Sequence, residues 1–381
     1  MKILLYSWAF WPSIGGVETI TDTLAENIVR LGHECVVVTE TPSDDERPRN
    51  YKIVRRPTVK KRFELARECS LVHSNGASVA MFLFAKLNHK PFVWTHNGYQ
   101  VAGLWWTDGD IVFSSPKSTG HLYFMKKDLL SFLKESVKLA VRRYVGNHVD
   151  LNIAATSWIA KRQPLKKQVV AYTPYPLDLF KTAQAVNSHP KYDFIYVGRL
   201  VSEKGVSDLI RAFHLLVSNP VFQDKTLAIV GNGSLRNILE QLVADLGLAR
   251  KVFFLGVKCG DELIKIISEA GIGVVPSVYE EPMGGITLEL LAAGKNVIVS
   301  KNGGHAECLG DAGLTFQNGD YESLHKCMVE MLTNQHLAKQ QLEIAKNRVN
   351  EFNEKKLTEK YIEIYKMVSD KQGKNNVLLE K

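Results

Sequence analysis

An apolar run of strand length that breaks into glycines and restarts as a helix occurs at the head of the chain and again near its middle. Lys2 to Trp8 has the make-up of a buried strand, and Pro12-Ser13-Ile14-Gly15-Gly16-Val17-Glu18 forms the turn after it. A helix is predicted from Thr19 to Leu31, Gly32 ends it, and Glu34 to Thr39 is the next strand. Strand, glycine turn, helix, strand closes as two parallel strands with a crossover, and ligands then collect at the carboxyl ends of the strands. The second half repeats the pattern. Tyr192 to Val197 is a strand, Gly198 to Gly205 a loop, and Val206 to Val217 a helix. Leu227 to Val230 then runs into Gly231-Asn232-Gly233, and Val252 to Leu255 into Gly256-Val257-Lys258. A chain of 381 residues exceeds what one hydrophobic core supports. The extended Tyr172 to Asp178, with its two prolines, and the polar residues 182–191 mark the linker between two doubly wound α/β domains.

Bulk numbers exclude several classes. No run reaches the roughly 18 apolar residues of a membrane span, and the opening MKILLYSW reads as a strand rather than a leader peptide. The five cysteines are scattered and form no C-x-x-C pair, which argues against structural zinc or a disulfide framework and for a reducing, cytoplasmic setting. The net charge of +8 is unevenly placed, with 25 Lys and Arg against 16 Asp and Glu in residues 1–186, and 23 against 24 in the remainder. A basic first half implies an anionic partner there. No helix-turn-helix, zinc-finger or RNP signature accompanies the charge, so nucleic acid is not expected. An anionic membrane surface or a lipid-diphosphate acceptor fits better.

Chemistry concentrates at four predicted strand ends. Gly271 to Val275 leads into PSVYEEPMGGITLELLAAG, residues 276–294, where Glu281, Pro282, Gly284 and Gly285 make a turn before a helix. Glycines ahead of a helix bring backbone N–H groups to an anion, helped by the partial positive charge of the helix terminus. Glu281 and Glu289 would repel a phosphate, so they are expected to face hydroxyl groups. Arg199 and Lys204 flank the loop after Tyr192–Val197 and can converge on one diphosphate, the first as a planar fork and the second as a point charge. His96 ends the strand in Pro91 to Gly98, where it can donate to a sugar or phosphate oxygen. The Gly15-Gly16 turn either approaches a phosphate or merely reverses the chain. Asp108-x-Asp110 looks like a metal-binding D-x-D but sits alone and reads as a solvated turn.

The 276–294 segment resembles the Glu-x7-Glu motif of the family-four retaining glycosyltransferases, which have the two-domain GT-B fold. The resemblance implies two Rossmann-like domains facing across a cleft. It makes residues 1–180 the acceptor-binding domain and 181–355 the nucleotide-sugar-binding domain, with a helix over 356–369 crossing back to the first domain. Residues 370–381 are polar and read as a loose tail. By the same resemblance Glu281 meets hydroxyls of the donor sugar and Glu289 holds the ribose. The turn Met283, Gly284, Gly285, Ile286 and Thr287 contacts sugar and diphosphate, and Arg199 and Lys204 bind the phosphates. His96 serves the donor sugar, and Gly15 and Gly16 lie below the diphosphate near the acceptor. Gly198 and Gly231 line the site, and Gly256 and Val257 present backbone groups to the base. The implied activity is metal-free transfer of a sugar, with retained configuration, from a UDP-linked or other nucleoside diphosphate sugar to a hydroxyl acceptor in polysaccharide or glycolipid assembly. No cofactor is expected. A nucleotide-sugar epimerase or NAD-dependent oxidoreductase also suits alternating α/β structure, although the full G-x-G-x-x-G is missing. A non-catalytic sugar-nucleotide-binding protein would keep the same residues.

Tyr123 to Tyr144 remains ambiguous at this level. Leu129, Leu130, Leu133, Val137 and Val141 recur at helical spacing among Lys126, Lys127, Lys134, Lys138, Arg142 and Arg143. Such a helix either lies on anionic lipid at the inner face of the membrane or packs its apolar side into the core and leaves a solvated basic face.

Overall fold

The computed structural model describes residues 1–13, 15–44, 47–102, 104–108, 111–118, 127–184 and 190–379, with backbone alone over 104–108, 111–118 and 371–379. Asp110, residues 123–126 and residues 185–189 of the polar linker fall outside the described residues. The chain divides into two units. The first comprises Met1–Leu104, Ser118–Pro176 and Phe352–Lys381, and the second Trp105–Lys117 and Leu177–Glu351.

In the first unit, strands β1 (Lys2–Ser7), β2 (Glu34–Thr39), β3 (Lys52–Arg55), β4 (Leu71–Asn75) and β5 (Phe92–His96) belong to one seven-stranded sheet. Strands β6 (Leu104–Asp108) and β7 (Ile111–Ser118), which fall almost wholly in the second unit, pair with each other apart from either sheet, while β8 (Leu151–Ala154) and β9 (Gln168–Val170) complete the seven-stranded sheet. Its order is β3-β2-β1-β4-β5-β8-β9, parallel throughout. Strand alternation sends Ile3 and Leu5 to one core, with Leu24 and Ile28 of the helix Gly16–Arg30. Leu4 and Tyr6 go to the other, with Leu65, Met81 and Phe82 of the helices Val59–Glu68 and Val79–Leu87. Helices on both faces explain why the strands are apolar on both sides.

The last helix, Glu354–Leu379, belongs to this unit and buries Tyr361, Tyr365 and Val368 in the first core. It continues through the stretch expected to be a loose tail. Lys371 to Leu379 contains no proline, and extending a helix already anchored by its apolar face costs far less than starting one. The helix Leu129–His148 resolves its ambiguity in an unusual sense. Its apolar stripe points away from the unit, leaving Leu130 79% and Val137 63% exposed, with Leu129, Leu133, Val141 and Tyr144 also exposed. The core-packed alternative is therefore excluded.

The second unit repeats the plan with β10 (Tyr192–Val197), β11 (Leu227–Val230), β12 (Val252–Gly256), β13 (Ala270–Val275), β14 (Asn296–Ser300) and β15 (Leu314–Phe316), in the order β12-β11-β10-β13-β14-β15. Phe194 and Tyr196 pack with Leu209, Phe213, Leu239 and Met328 on one face. The helix Gly285–Ala292 packs against β13 and β14. Each sheet winds outward in both directions from its first strand. The following loops therefore part at the carboxyl ends between β1 and β4, and between β10 and β13. A crevice at such a reversal is where open α/β sheets bind ligands.

Two histidines in the first unit are almost wholly buried, His73 at 1% and His96 at 1% exposure. His73 bonds Thr95 Oγ1 through Nε2 (2.7 Å) and Tyr365 Oη through Nδ1 (2.7 Å). Burial pushes its pKa down to about 3, and that of His96 to about 4 despite its bond to Asn152. The unfolded chain takes up these protons near pH 6.5 whereas the native chain does not, so acid favours unfolding. We expect the urea midpoint to fall between pH 6.5 and 5, with a limiting slope of about 1.4 kcal/mol per pH unit for each histidine. His96→Gln, which keeps an amide donor for Asn152, should flatten that slope. A midpoint independent of pH over this range would mean that the histidines are solvated.

Candidate active site

At the reversal point of the second sheet, three loops are drawn together by backbone. Gly198 follows β10 at φ 159°, and Tyr196 Oη donates to Arg199 O (2.8 Å) behind it. The chain turns through Ser202–Lys204 to Gly205 at φ 64°, where a side chain would stand 2.0 Å from Pro276 O. Only glycine allows that approach. From the loop after β13, the N–H groups of Val278 and Tyr279 both donate to Glu203 O (3.0 and 3.2 Å). The loop after β14 joins them at Gly303 and Gly304. Gly304 N donates to Glu281 O (2.6 Å), and a Cβ on Gly304 would meet Pro282 O at 2.5 Å.

This clasp places Lys204 Nζ 2.6 Å from Glu281 Oε1, with both side chains largely shielded from water. Burial alone would raise the Glu281 pKa, but Lys204, His305 and Arg199 outweigh it and hold the carboxyl below its ordinary value. Arg199 is on the same loop, 70% exposed at its side chain, with Nη2 3.3 Å from Glu203 Oε1. The geometry thus brings Arg199, Lys204 and Glu281 together, with one difference from expectation. Lys204 is already paired with the carboxylate rather than standing as a bare cation.

Beside the pair begins the helix Gly285–Ala292. Its N-cap, Gly284, offers no side-chain cap, so the N–H groups of Gly285, Ile286 and Thr287 have no side-chain acceptor from the cap position. With the helix dipole they form an anion-attracting terminus. Gly284 is required by packing, because a Cβ there would lie 2.8 Å from His305 Cα. Met283 belongs to the same turn, and Glu289 lies half-buried one turn into the helix.

His305, on the helix Gly304–Leu309, is the residue that sequence reasoning missed. It is 3% exposed, bonds Thr287 Oγ1 through Nδ1 (2.9 Å), and keeps Nε2 buried without a hydrogen-bond partner. Burial, opposed by Glu281, pushes its pKa down to about 4, so it is neutral near pH 7. The available signal was Asn302-Gly303-Gly304-His305 directly after the apolar strand Asn296–Ser300, the same strand–glycine–helix pattern as elsewhere.

Gly198, Gly231 and Gly256 line up at the ends of adjacent strands. Gly198 N donates to Val230 O (3.0 Å) and Gly231 N to Gly256 O (2.8 Å). Gly231 has φ 135°, and a Cβ on it would meet Gly198 O at 1.8 Å, so its first duty is to let two chains touch. Val257, just beyond Gly256, presents an exposed apolar side chain.

Gly15, Gly16 and His96 lie in the first unit. Gly15 is extended and caps the helix Gly16–Arg30 without a side-chain bond. His96 ends β5 as expected, but its hydrogen bonding reverses the expected polarity. Asn152 Nδ2 donates to Gly146 O (2.7 Å) and Lys166 O (2.8 Å), which turns its Oδ1 toward His96 Nε2 (2.8 Å). Nε2 must therefore donate, and in a neutral ring Nδ1 is left as an acceptor. That atom is buried and unpartnered. It suits a hydroxyl and not a phosphate oxygen.

Comparison with known proteins gives the family and the fold. Residues 14–163 match the family described as Glycosyltransferase Family 4, and residues 180–348 match Glycosyl transferases group 1. The uncharacterized glycosyltransferase MJ1607 of Methanocaldococcus jannaschii is 28% identical over 81% of this chain and 83% of its own. A second protein of that organism, the uncharacterized glycosyltransferase MJ1178, is 24% identical over 97% of this chain and 99% of its own. Among solved structures, Anabaena HepE in complex with UDP superposes with a TM-score of 0.74 at 18% identity, covering 96% of this chain and 100% of that one. The two parallel-sheet, Rossmann-like units are those of the GT-B fold, and the chain belongs to the group 1 and family 4 glycosyltransferases.

Proposed function

We propose that this glycosyltransferase moves a hexose, with retention of configuration, from a UDP-sugar to a hydroxyl acceptor in polysaccharide or glycolipid assembly. The observation that carries the reading is the Lys204–Glu281 pair beside the uncapped terminus of the helix Gly285–Ala292. A diphosphate arriving there is a better partner for Lys204 than a single carboxylate, since it offers more charge and more acceptor atoms. Lys204 then turns to phosphate with Arg199 and the helix N–H groups, and Glu281 is released to accept hydrogen bonds from sugar hydroxyls. Glu289 takes the ribose hydroxyls, and backbone at Gly256 and Val257 reads the base. The uridine base and a glucose or N-acetylglucosamine donor draw support from the UDP carried by HepE and from its complex with UDP-glucose.

The chemical step is a displacement at the anomeric carbon. The acceptor oxygen forms the new bond on the face from which the diphosphate leaves, and the leaving oxygen keeps the bonding electrons. A phosphate oxygen takes the acceptor's proton. Arg199 and Lys204 stabilise the charge that grows on the diphosphate, the contribution that fixed cations make best in a shielded site. Neutral His96 accepts from a donor-sugar hydroxyl through Nδ1, and His305 steadies Thr287 at the start of the helix. Glu281, once released from Lys204, is engaged by the sugar hydroxyls rather than the anomeric carbon, which favours same-face transfer over a covalent intermediate.

UDP should raise the melting temperature where NAD does not. Glu281→Ala should lower kcat with UDP-glucose by about 10²-fold while changing UDP affinity no more than about threefold. Equal losses in both would mean that the glutamate serves the nucleotide. Because two fixed cations and a helix terminus supply the charge, turnover should survive EDTA. Complete loss restored by Mn²⁺ would contradict the metal-free step.

We also propose that the helix Leu129–His148 rests on an anionic membrane, at the inner face in a cytoplasmic setting. Its exposed apolar stripe is accompanied by Lys134, an exposed cation able to reach a lipid phosphate beside a shallowly inserted face. No helix among the described residues is long and apolar enough to cross a membrane. The protein should co-sediment with phosphatidylglycerol vesicles and not with phosphatidylcholine vesicles, and Leu130→Asp with Val137→Asp should release it. Binding that ignores both lipid charge and this double variant would overturn the assignment.

A further inference from the structure

The reversal point of the first sheet, between β1 and β4, opens into a cavity of about 690 Å³ whose walls differ in chemistry. The lining includes Trp8, 70% exposed just after β1, so its aromatic face is open to a ligand. Near it are amides and a carboxylate. Asn75 is tied to Thr21 Oγ1 (2.7 Å) and receives Asn97 Nδ2, while Asn97 Oδ1 is buried without a hydrogen-bond partner. Glu18, in the first turn of the helix Gly16–Arg30, is oriented by Ser13 Oγ (2.8 Å). An aromatic face with fixed acceptors around it matches a sugar ring, which has apolar C–H faces and a rim of hydroxyl donors.

The lining also carries two cations. Lys138 and Arg142 both line the cavity and are four residues apart on the helix Leu129–His148, so their charges neighbour each other on one flank. Lys138 has Glu135 at 3.1 Å, but Arg142 has no ion-pair partner among the described residues. Like charges at this spacing weaken a helix, and no ion pair among the described residues offsets Arg142. The cavity therefore holds hydroxyl-binding groups and two cations, one of them with a vacant guanidinium fork.

We propose that the cavity takes a sugar carrying a phosphate group as the acceptor, its ring against Trp8, its hydroxyls on Asn97 and Glu18, and its phosphate on Lys138 and Arg142. This rests on the reading that the first unit receives the acceptor, and it specifies the acceptor's class. The phosphate is a handle and stays intact, and the new glycosidic bond forms at a hydroxyl of the same sugar. The phosphate's source is either a soluble sugar phosphate or a lipid-borne one, the latter presented by the membrane on which the outer face of this helix rests.

Titration calorimetry of the full chain with glucose 1-phosphate, with methyl α-glucoside and with a polyprenyl glucosyl phosphate in micelles tests the assignment. The phosphorylated sugars should bind at least about tenfold more tightly than the methyl glycoside. Lys138→Ala with Arg142→Ala should abolish that preference, and Arg142→Lys should keep part of it. The two altered side chains are at the surface, and an unchanged melting temperature verifies folding. A preference for the polyprenyl form over glucose 1-phosphate assigns the lipid source, and equal affinity the soluble one. Equal binding of charged and uncharged sugars, a preference that survives the double variant, or no binding of any of the three overturns the proposal. UDP binding measured on the same samples separates that failure from failure of the glycosyl-transfer reading, which predicts UDP affinity in either case.

Discussion

Backbone crowding at the carboxyl edge of the second sheet is the constraint from which its site follows. Parallel strands β10 and β13 lie side by side, but their loops lead to opposite faces, and a gap between such loops would normally fill with side chains or water. Here it is closed by main chain. Gly205 sits against Pro276 O across that gap, and the loops to either side close up in the same way, Gly231 against Gly198 O and Gly304 against Pro282 O, each at a distance that a Cβ would prevent. With the backbones this close, Glu203 O can accept from two N–H groups of the neighbouring loop, and the side chains of Lys204 and Glu281 are left facing each other. A shielded ion pair of this kind is a weak source of stability, because desolvation offsets most of the attraction. Under the proposed function each partner gains a second use when a diphosphate arrives.

The two units use the same topology for different chemistry. In the second unit the reversal point carries a cation, a carboxylate and a helix terminus, a set that the proposed function divides between phosphate and hydroxyl groups. In the first unit the corresponding position carries an exposed tryptophan, amides and two cations from a helix added later in the chain. That helix is inverted relative to ordinary amphipathic packing. Its apolar stripe faces outward, Val145 and Gly146 near its end are the buried residues, and the cations lie along the flank between. One element thereby supplies both an exposed apolar surface and a lining to the cavity behind it.

The strand–glycine–helix repeats were legible in the chain because burial on both faces demands continuous apolar runs, and close backbone approach demands glycine. Arg199, Lys204 and Glu281 were legible for a related reason: charged residues beside such glycines have few structural alternatives. Other features depend on contacts that no local pattern encodes. His305 acquires its place only when the loop after β14 folds over the Glu281 turn. The donor-acceptor sense of His96 is set by Asn152, whose amide is oriented in turn by Gly146 and Lys166. An apolar stripe at helical spacing looks the same whether it faces a core or a membrane, so the direction of the Leu129–His148 helix needed the structure. The helical run beyond Asp370 escaped notice because composition reports polarity, whereas a helix already nucleated upstream tolerates polar residues.

The central claim is that Lys204 exchanges its carboxylate partner for the donor's diphosphate, and affinity for the nucleotide against the bare nucleoside tests this most directly. Calorimetric titration of Lys204→Met should show UDP bound at least about tenfold more weakly than by the wild-type chain, with uridine affinity unchanged because the base and ribose contacts are elsewhere. UDP affinity that is unaltered in this variant, or a loss shared equally by uridine, would contradict the account.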